Sequence, residues 1–323
     1  MLLYIIGLIV GFAALAWSAD RFVLGAAGAA NQLGLSPLVI GLTIVALGTS
    51  APELLVSGLA AWHGSPGLAI GNAVGSNIAN MGLILGATAL VAPLAIHSRL
   101  LRRELPVLFA TILLCWALLW NGQLSRLESS ALLLGLVALI LFLLWESHRK
   151  SARTDPIASE FAAEIPSGLS VGRAALWLTV GLIGLLLSAR LCVWAAVELA
   201  QLFGVSDLVI GLSIVALGTS LPELAASIAS VRRGEHDIAI GNLIGSNMFN
   251  LLGVMGLAGL IAPTAVESGV IERDFAVMFG LTAAAVVMSR GLGSPGHIGR
   301  LGGALLLLAY AGYQLWLYLV SGS

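Results

Sequence analysis

The sequence predicts an all-α integral membrane protein: ten transmembrane helices in two inverted-topology five-helix repeats, with amino and carboxyl termini both outside. Three observations lead there. The composition is 59% hydrophobic and 10% charged, with a mean hydropathy of +1.02. A soluble domain carries about 25% charged residues, so this chain has too little polar surface to cover a soluble fold. Apolar runs approaching the ~20 residues that span a bilayer recur along its whole length. The second half also repeats the first at a constant offset of 170 residues.

Taken in order, the candidate spans lie near 3–30, 37–62, 68–92, 105–121 and 127–146, then 172–203, 207–231, 238–262, 274–289 and 301–320. Their Leu/Ala/Val/Ile runs lack the period-two alternation of a transmembrane β-barrel. Met1 to Trp17 has no basic n-region and no small-residue cleavage site, so it reads as a retained first span. The polar stretch Glu146 to Ser170 is too short for a folded domain. The expected organisation is therefore a first repeat at 1–146, a cytoplasmic linker at 147–170 and a second repeat at 171–323. The 39 glycines exceed average usage and suit close or broken helices in a bilayer. A net charge of −1 excludes a basic nucleic-acid-binding surface. Cys115 and Cys192, both in apolar stretches, give no disulfide framework.

The repeat is explicit. The block GLTIVALGTSAPELLVS, Gly41 to Ser57, recurs as GLSIVALGTSLPELAAS, Gly211 to Ser227, with 13 of 17 positions identical. GNAVGSNIAN, Gly71 to Asn80, recurs as GNLIGSNMFN, Gly241 to Asn250. Ser18-Ala19 with Ser188-Ala189, and Pro93 with Pro263, keep the same offset. Five spans per repeat make the second copy enter the membrane from the opposite side, related to the first by an axis in the membrane plane. Basic residues agree: with the amino terminus outside, 11 of the 15 Lys+Arg fall in inside loops and only Arg126 and Arg273 in outside loops.

Glu53 and Glu223 sit deep in apolar segments, where a carboxylate is costly unless it is paired or functional. Neither block contains a Lys or Arg. Two carboxylates at equivalent positions without a cationic residue beside them in sequence make a site for a cation. Pro52 and Pro222 each remove a helix hydrogen bond and free carbonyls one turn back, near Ala46 to Gly48 and Ala216 to Gly218. Thr and Ser hydroxyls add neutral oxygens. Carboxylate, carbonyl and hydroxyl suit hard cations such as Ca²⁺ or Na⁺, and without Cys or His in the blocks a Zn²⁺ or Cu⁺ site is not expected. Ser76 with Asn80, and Ser246 with Asn250, stand one turn apart on one helix face. Asn72, Asn77, Asn242 and Asn247 are further amides at membrane depth.

Plainer roles compete. Ser50-x-x-Glu53 and Ser220-x-x-Glu223 match capping boxes that would open the second arm of a broken helix. Intramembrane Ser and Asn also serve as packing glue, which stays open for Ser76, Ser246, Asn72 and Asn242. Asp20, Arg21, Arg190 and Glu198 read as interface anchors. The five histidines fall in expected loops, and the eight tryptophans lie mostly near span ends, as an aromatic belt requires.

At the two paired blocks the sequence resembles the α-repeats of the cation/calcium antiporter superfamily, in particular its short prokaryotic sodium/calcium exchanger type. The resemblance covers both repeats and, through the span layout, nearly the whole chain. It implies an ion-binding core of spans 2, 3, 7 and 8, with long gating helices at spans 1 and 6. It further implies Ca²⁺ held by Glu53, Glu223 and the Thr49 and Thr219 carbonyls. Na⁺ would be held by the Ala46 and Ala216 carbonyls with Ser50, Ser220, Ser76 and Ser246, and Asn80 and Asn250 would complete the centre. Many members of the family carry Asp at one of these last positions, whereas both are Asn here. That leaves two fixed charges, enough for one divalent ion, and keeps H⁺ open beside Na⁺ as the coupling ion.

The function implied is secondary antiport of Ca²⁺ against Na⁺, or against H⁺ through the same Glu pair. A cation channel is the reading from another class, since intramembrane Glu also lines pores. The blocks contain no Arg/Lys pair or aromatic cage for an organic solute, and no P-loop marks an ATP-driven pump. The expectations are a transporter rather than an enzyme, no cofactor beyond the transported ions, the lipid bilayer as partner with no soluble partner implied and the oligomeric state left open, and multi-pass residence in the plasma (inner) membrane.

Overall fold

The computed structural model describes residues 1–33, 37–96, 104–151, 169–202, 216–291 and 296–321. Six helices are long and apolar enough to cross a membrane: Leu2–Ala30, Pro66–Val91, Arg126–Leu143, Val171–Leu199, His236–Ile261 and Arg300–Leu319. A bent pair, Gly41–Thr49 with Ala51–Trp62, makes a seventh if counted as one span. Glu104–Leu118 is a shorter apolar helix, and a π-helical turn at Val270–Asp274 leads into Phe275–Gly291. Of the span expected at 207–231, the described part is Ala216–Thr219 and Leu221–Arg232, and the remainder lies outside the described residues.

The chain is mostly helical, as the all-α expectation has it, with a small addition that the sequence did not suggest. Four two-residue strands form two antiparallel clasps: β1 (Leu94–Ala95) with β4 (His297–Ile298), and β2 (Gln123–Leu124) with β3 (Thr264–Ala265). Short turns between helices leave backbone N–H and C=O groups that must be paired, and here each pairs with a segment of the other half of the chain. Three histidines also depart from the loop assignment, His297 through its place in β4. His148 lies within Arg126–Ser151 and His236 opens the helix His236–Phe249; His97 is outside the described residues. Cys115 and Cys192 are both buried and free.

The chain folds into two compact units, each drawing on both halves of the sequence. The first comprises Met1–Pro52 and Ala138–Gly245. Its frame is a pair of 32-residue helices, Leu2–Leu33 and Val171–Leu202. They run antiparallel, since Gly7 faces Ala195, Gly11 faces Cys192, and Gly28 faces Ala174. Lipid tails are as apolar as leucine, so packing rather than water exclusion must hold such helices together, and small residues allow it. A side chain at Gly25 would run into the Leu178 backbone, and one at Gly181 into the Phe22 backbone. Leu15, Ala19, Phe22, Ala26 and Ala30 form a buried stripe at helical spacing, while Leu2, Leu3, Ile9 and Phe12 are exposed. Leu185, Ala226 and Ile238 complete this core.

Two of the expected interface anchors find partners in this unit. Asp20 pairs with Arg233 at 2.6 Å. Arg21 lies between the Trp17 and Trp177 rings, 5.7 and 4.9 Å from their centres.

The second unit comprises Glu53–Val137 and Ser246–Ser323. Leu85–Val91 crosses Arg300–Ser321 at two glycines: a Cβ on Gly86 would stand 2.8 Å from the Gly303 carbonyl oxygen, and one on Gly303 2.7 Å from that of Gly86. Ser125 and Glu128 form a capping box on Arg126–Ser151, with the Ser125 N–H donating to Glu128 Oε2 at 2.9 Å. Asp274 is buried; it accepts from Arg273 Nε at 2.7 Å and from the Tyr313 hydroxyl at 2.9 Å, tying Phe275–Gly291 to Arg300–Ser321.

Candidate functional site

The bend of 51° in the first repeated block falls at Ser50, two residues before Pro52. Proline lacks the N–H that would continue the helix ladder, so the chain restarts instead of curving on. Ser50 has φ −82° and ψ 6°, and Ser220 in the second block has φ −89° and ψ 4°. The two repeats thus break in the same way. Each restarted arm, Ala51–Trp62 and Leu221–Arg232, carries its Glu in the first turn, where unsatisfied N–H groups favour negative charge. Both side chains are 1% exposed.

The expected ligands fall into two groups, one in each unit. In the first unit, Glu223 Oε1 accepts from the Ser50 hydroxyl at 3.2 Å, so the first repeat supplies a donor to the second repeat's carboxylate. Glu223 Oε2 and the Ser220 hydroxyl are buried without a hydrogen-bond partner. Thr49 donates to Asn242 Oδ1 at 2.9 Å and approaches the Ala46 carbonyl at 3.4 Å. Thr219 and the backbone of Ala216 belong to the short helix before the second break. Gly245 lets the two repeated blocks touch, since a Cβ there would stand 2.6 Å from Ala46 Cβ.

Two expectations change here. The capping boxes do not form as read: the Ser220 side chain makes no cap bond, and the Ser50 hydroxyl is spent on Glu223. Nor is the Ala46 carbonyl freed, because it accepts the Ser50 N–H at 2.9 Å.

The second unit holds Glu53, Ser76, Asn80, Ser246 and Asn250, all buried. Asn80 and Asn250 each open a π-helical turn, Asn80–Ile84 and Asn250–Val254. Such turns insert a residue into the helical ladder and redirect side chains, often at functional positions. An amide lattice follows the repeat symmetry. Asn80 Nδ2 donates to Asn247 Oδ1 at 3.0 Å, and Asn250 Nδ2 donates to Asn77 Oδ1 at 3.1 Å. With their donors committed, Asn80 Oδ1 and Asn250 Oδ1 remain buried without partners, as does the Ser246 hydroxyl. Buried polar atoms rarely stay unmet in folded proteins. These are neutral oxygens of the type a hard cation takes.

Among the described residues no group of three or more His, Cys, Asp or Glu side chains gathers as a metal cluster. Sequence reasoning passed over Ser57 and Ser227. Asn72 Nδ2 donates to Ser57 Oγ at 3.0 Å, and Asn242 Nδ2 to Ser227 Oγ at 3.3 Å. Both serines close the longer repeated block, and their recurrence there was the available signal.

The family model described as sodium/calcium exchanger protein matches residues 3–145 and 173–319. This chain belongs to the sodium/calcium exchanger family. It is accordingly a multi-pass membrane transport protein, and the family match spans both sequence halves. CaxA of Alkalimonas amylolytica is 47% identical over 98% of this chain and 99% of its own length. The sodium/calcium exchanger MaX1 of Methanosarcina acetivorans is 30% identical over 97% of this chain and 98% of its own. Among solved structures, the sodium-calcium exchanger NCX_Mj, soaked with zero Na⁺ and Ca²⁺, superposes with a TM-score of 0.83 at 31% identity, covering 98% of this chain and 99% of that one.

Proposed function

We propose that this exchanger-family protein is a secondary antiporter that moves Ca²⁺ against Na⁺ by alternating access. Glu53 and Glu223, one from each repeat, supply the two charges that balance a divalent ion. The Thr49 and Thr219 carbonyls complete the Ca²⁺ ligands. Na⁺ uses Ser50, Ser220, Ser76, Ser246 and the Ala46 and Ala216 carbonyls, with Asn80 and Asn250 beside them. One set of carboxylates serving both ions makes them compete, and an empty, doubly charged site does not cross readily, so movement is coupled as exchange.

The observation that carries this reading is the set of buried oxygens without hydrogen-bond partners in the repeated blocks: Glu223 Oε2, the Ser220 and Ser246 hydroxyls, and Asn80 and Asn250 Oδ1. The blocks that bear them contain no Lys, Arg or His. The family match and the likeness to MaX1, a sodium/calcium exchanger, support the same cargo. The membrane arrangement belongs to the proposal: ten spans in inverted repeats at 1–146 and 171–323, a cytoplasmic linker at 147–170, both termini outside, and residence in the plasma membrane. The long helices Leu2–Leu33 and Val171–Leu202 would be the moving elements.

A second reading is Ca²⁺/H⁺ exchange through the same carboxylates, favoured by Asn rather than Asp at both 80 and 250. Ca²⁺ uptake into proteoliposomes, driven separately by outward Na⁺ and outward H⁺ gradients, decides between them. Uptake with Na⁺ alone supports the first reading. Uptake with H⁺ alone removes the Na⁺ assignments. Single-channel currents in planar bilayers in place of coupled counter-flow would overturn both.

A further inference from the structure

We propose that Asn242, with its repeat equivalent Asn72, is a positioning residue for the transport site: a side-chain bracket that fixes the carboxylate-bearing arm without itself ligating the ion. The inference rests on the antiport reading above and goes beyond its ligand set.

Ser227 stands four residues after Glu223, and Ser57 four residues after Glu53, so each serine shares a helix face with its glutamate one turn away. Asn242 on the following helix donates to Ser227 Oγ at 3.3 Å and reaches the Glu223 backbone carbonyl at 3.5 Å. Its Oδ1 accepts from Thr49 at 2.9 Å. Three contacts thus join one amide to the glutamate-bearing arm of the second repeat and to the break of the first. Asn242 is fully buried, and both ends of its amide are engaged. Its Nδ2 carries hydrogens and offers a cation nothing. Asn72 Nδ2 repeats the serine contact at 3.0 Å within the other unit. The same bond across the same sequence separation, in two separate settings, marks a built feature rather than incidental packing.

The bracket fixes two things that decide ion fit. It sets the height of Glu223 along its helix, through the carbonyl of Glu223 itself and the serine one turn on. It also sets the rotation of Thr49, whose carbonyl is a proposed Ca²⁺ ligand. A site whose ligands are held at fixed separation favours the ion whose radius matches, and one whose ligands can drift admits a larger ion.

The test compares unchanged protein with Asn242→Ala and Thr49→Val in proteoliposomes, measuring half-saturating Ca²⁺, maximal rate and Sr²⁺-to-Ca²⁺ preference per folded molecule. Thr49→Val keeps the volume and the backbone carbonyl while removing only the hydroxyl, so it decides the matter if Asn242→Ala fails to fold. The expected result is a rise of about tenfold in half-saturating Ca²⁺, the scale of one buried hydrogen bond left unmade, together with a shift of preference toward Sr²⁺. A merely structural role would lower the melting temperature and the yield but leave half-saturation and ion preference unchanged, and that result overturns the inference alone. Absence of Ca²⁺ uptake by the unchanged protein would instead overturn the antiport reading and this inference with it.

Discussion

Ser50 and Ser220 occupy equivalent positions in the two repeats, yet the structure gives them different work, and this asymmetry can be measured. Both are buried. The Ser50 hydroxyl donates to Glu223 Oε1 at 3.2 Å, whereas the Ser220 hydroxyl has no hydrogen-bond partner. Removing one partner of a buried hydrogen bond leaves the other unsatisfied at a cost of about 1–3 kcal/mol, so Ser50→Ala should destabilise the ion-free protein by roughly 2 kcal/mol. A buried hydroxyl that makes no bond carries a desolvation cost of about 1–3 kcal/mol on mutational scales, so Ser220→Ala should be neutral or stabilising. The two variants should then differ by ~2 kcal/mol or more, a factor of about thirty in the folding equilibrium. Detergent-solubilised protein titrated to unfolding without Na⁺ or Ca²⁺ reads the difference directly. Adding Na⁺ supplies a second, independent arm. An ion that binds only the folded state stabilises it in proportion to the logarithm of its concentration over its dissociation constant. Removing a proposed Na⁺ ligand should therefore blunt this rise in both variants. Equal destabilisation by the two substitutions without ions would refute the assignment of Ser50 to Glu223. An undiminished Na⁺ effect in both would refute the hydroxyls as Na⁺ ligands.

Three further outcomes are expected. Gly25→Leu or Gly181→Leu forces a side chain into the partner helix backbone, an overpacking that costs about 1–3 kcal/mol; a lowered melting temperature together with slowed uptake checks it, and unaltered melting would show that the long helices separate freely. Asp20→Asn breaks the ion pair with Arg233, whose side chains are 42% and 28% exposed respectively; pairs this accessible contribute about 0–1 kcal/mol, so the stability loss should be small and vanish in high salt. Tyr313→Phe removes the hydroxyl bond to buried Asp274 and should cost about 1–3 kcal/mol, measured by thermal unfolding, with retained full stability ruling against a structural tie at that point.

The sequence made the chemistry legible wherever it was written twice. Glu53 and Glu223, the prolines behind the breaks, and Asn80 and Asn250 all stood out through their constant offset, and the structure finds the first break as a bend and the glutamate and asparagine side chains buried. Pairing between repeats was not legible. Ser50-x-x-Glu53 reads locally as a capping box, but the Ser50 hydroxyl finds a carboxylate 173 positions away, and no local pattern encodes a bond of that length. The amide lattice was hidden for the same reason: Asn77 and Asn247 were visible as amides, but their exchange of partners with Asn250 and Asn80 depends on how the two helices meet. The π-helical turns at Asn80 and Asn250 escaped because a single inserted residue leaves apolar patterning almost unchanged. The strands escaped because two residues are too few to show alternation. His148 and the helix end at Ser151 escaped because polar composition suggested a linker where the helix simply continues beyond its apolar part.

The two β clasps bear on how the protein is made. Leu94 and Ala95 emerge from the ribosome long before His297 and Ile298 exist to pair with them, and β2 likewise waits for β3. Through that interval the hydrogen-bonding edges of the earlier strands can be met only by water, by lipid headgroups or by assisting proteins. Contacts between distant parts of a chain close late because the loop between them must first be ordered. Locking of the unit that contains both clasps is therefore among the last events of synthesis. Coexpressed halves of the chain would have to find each other, and each would present the other's missing strand.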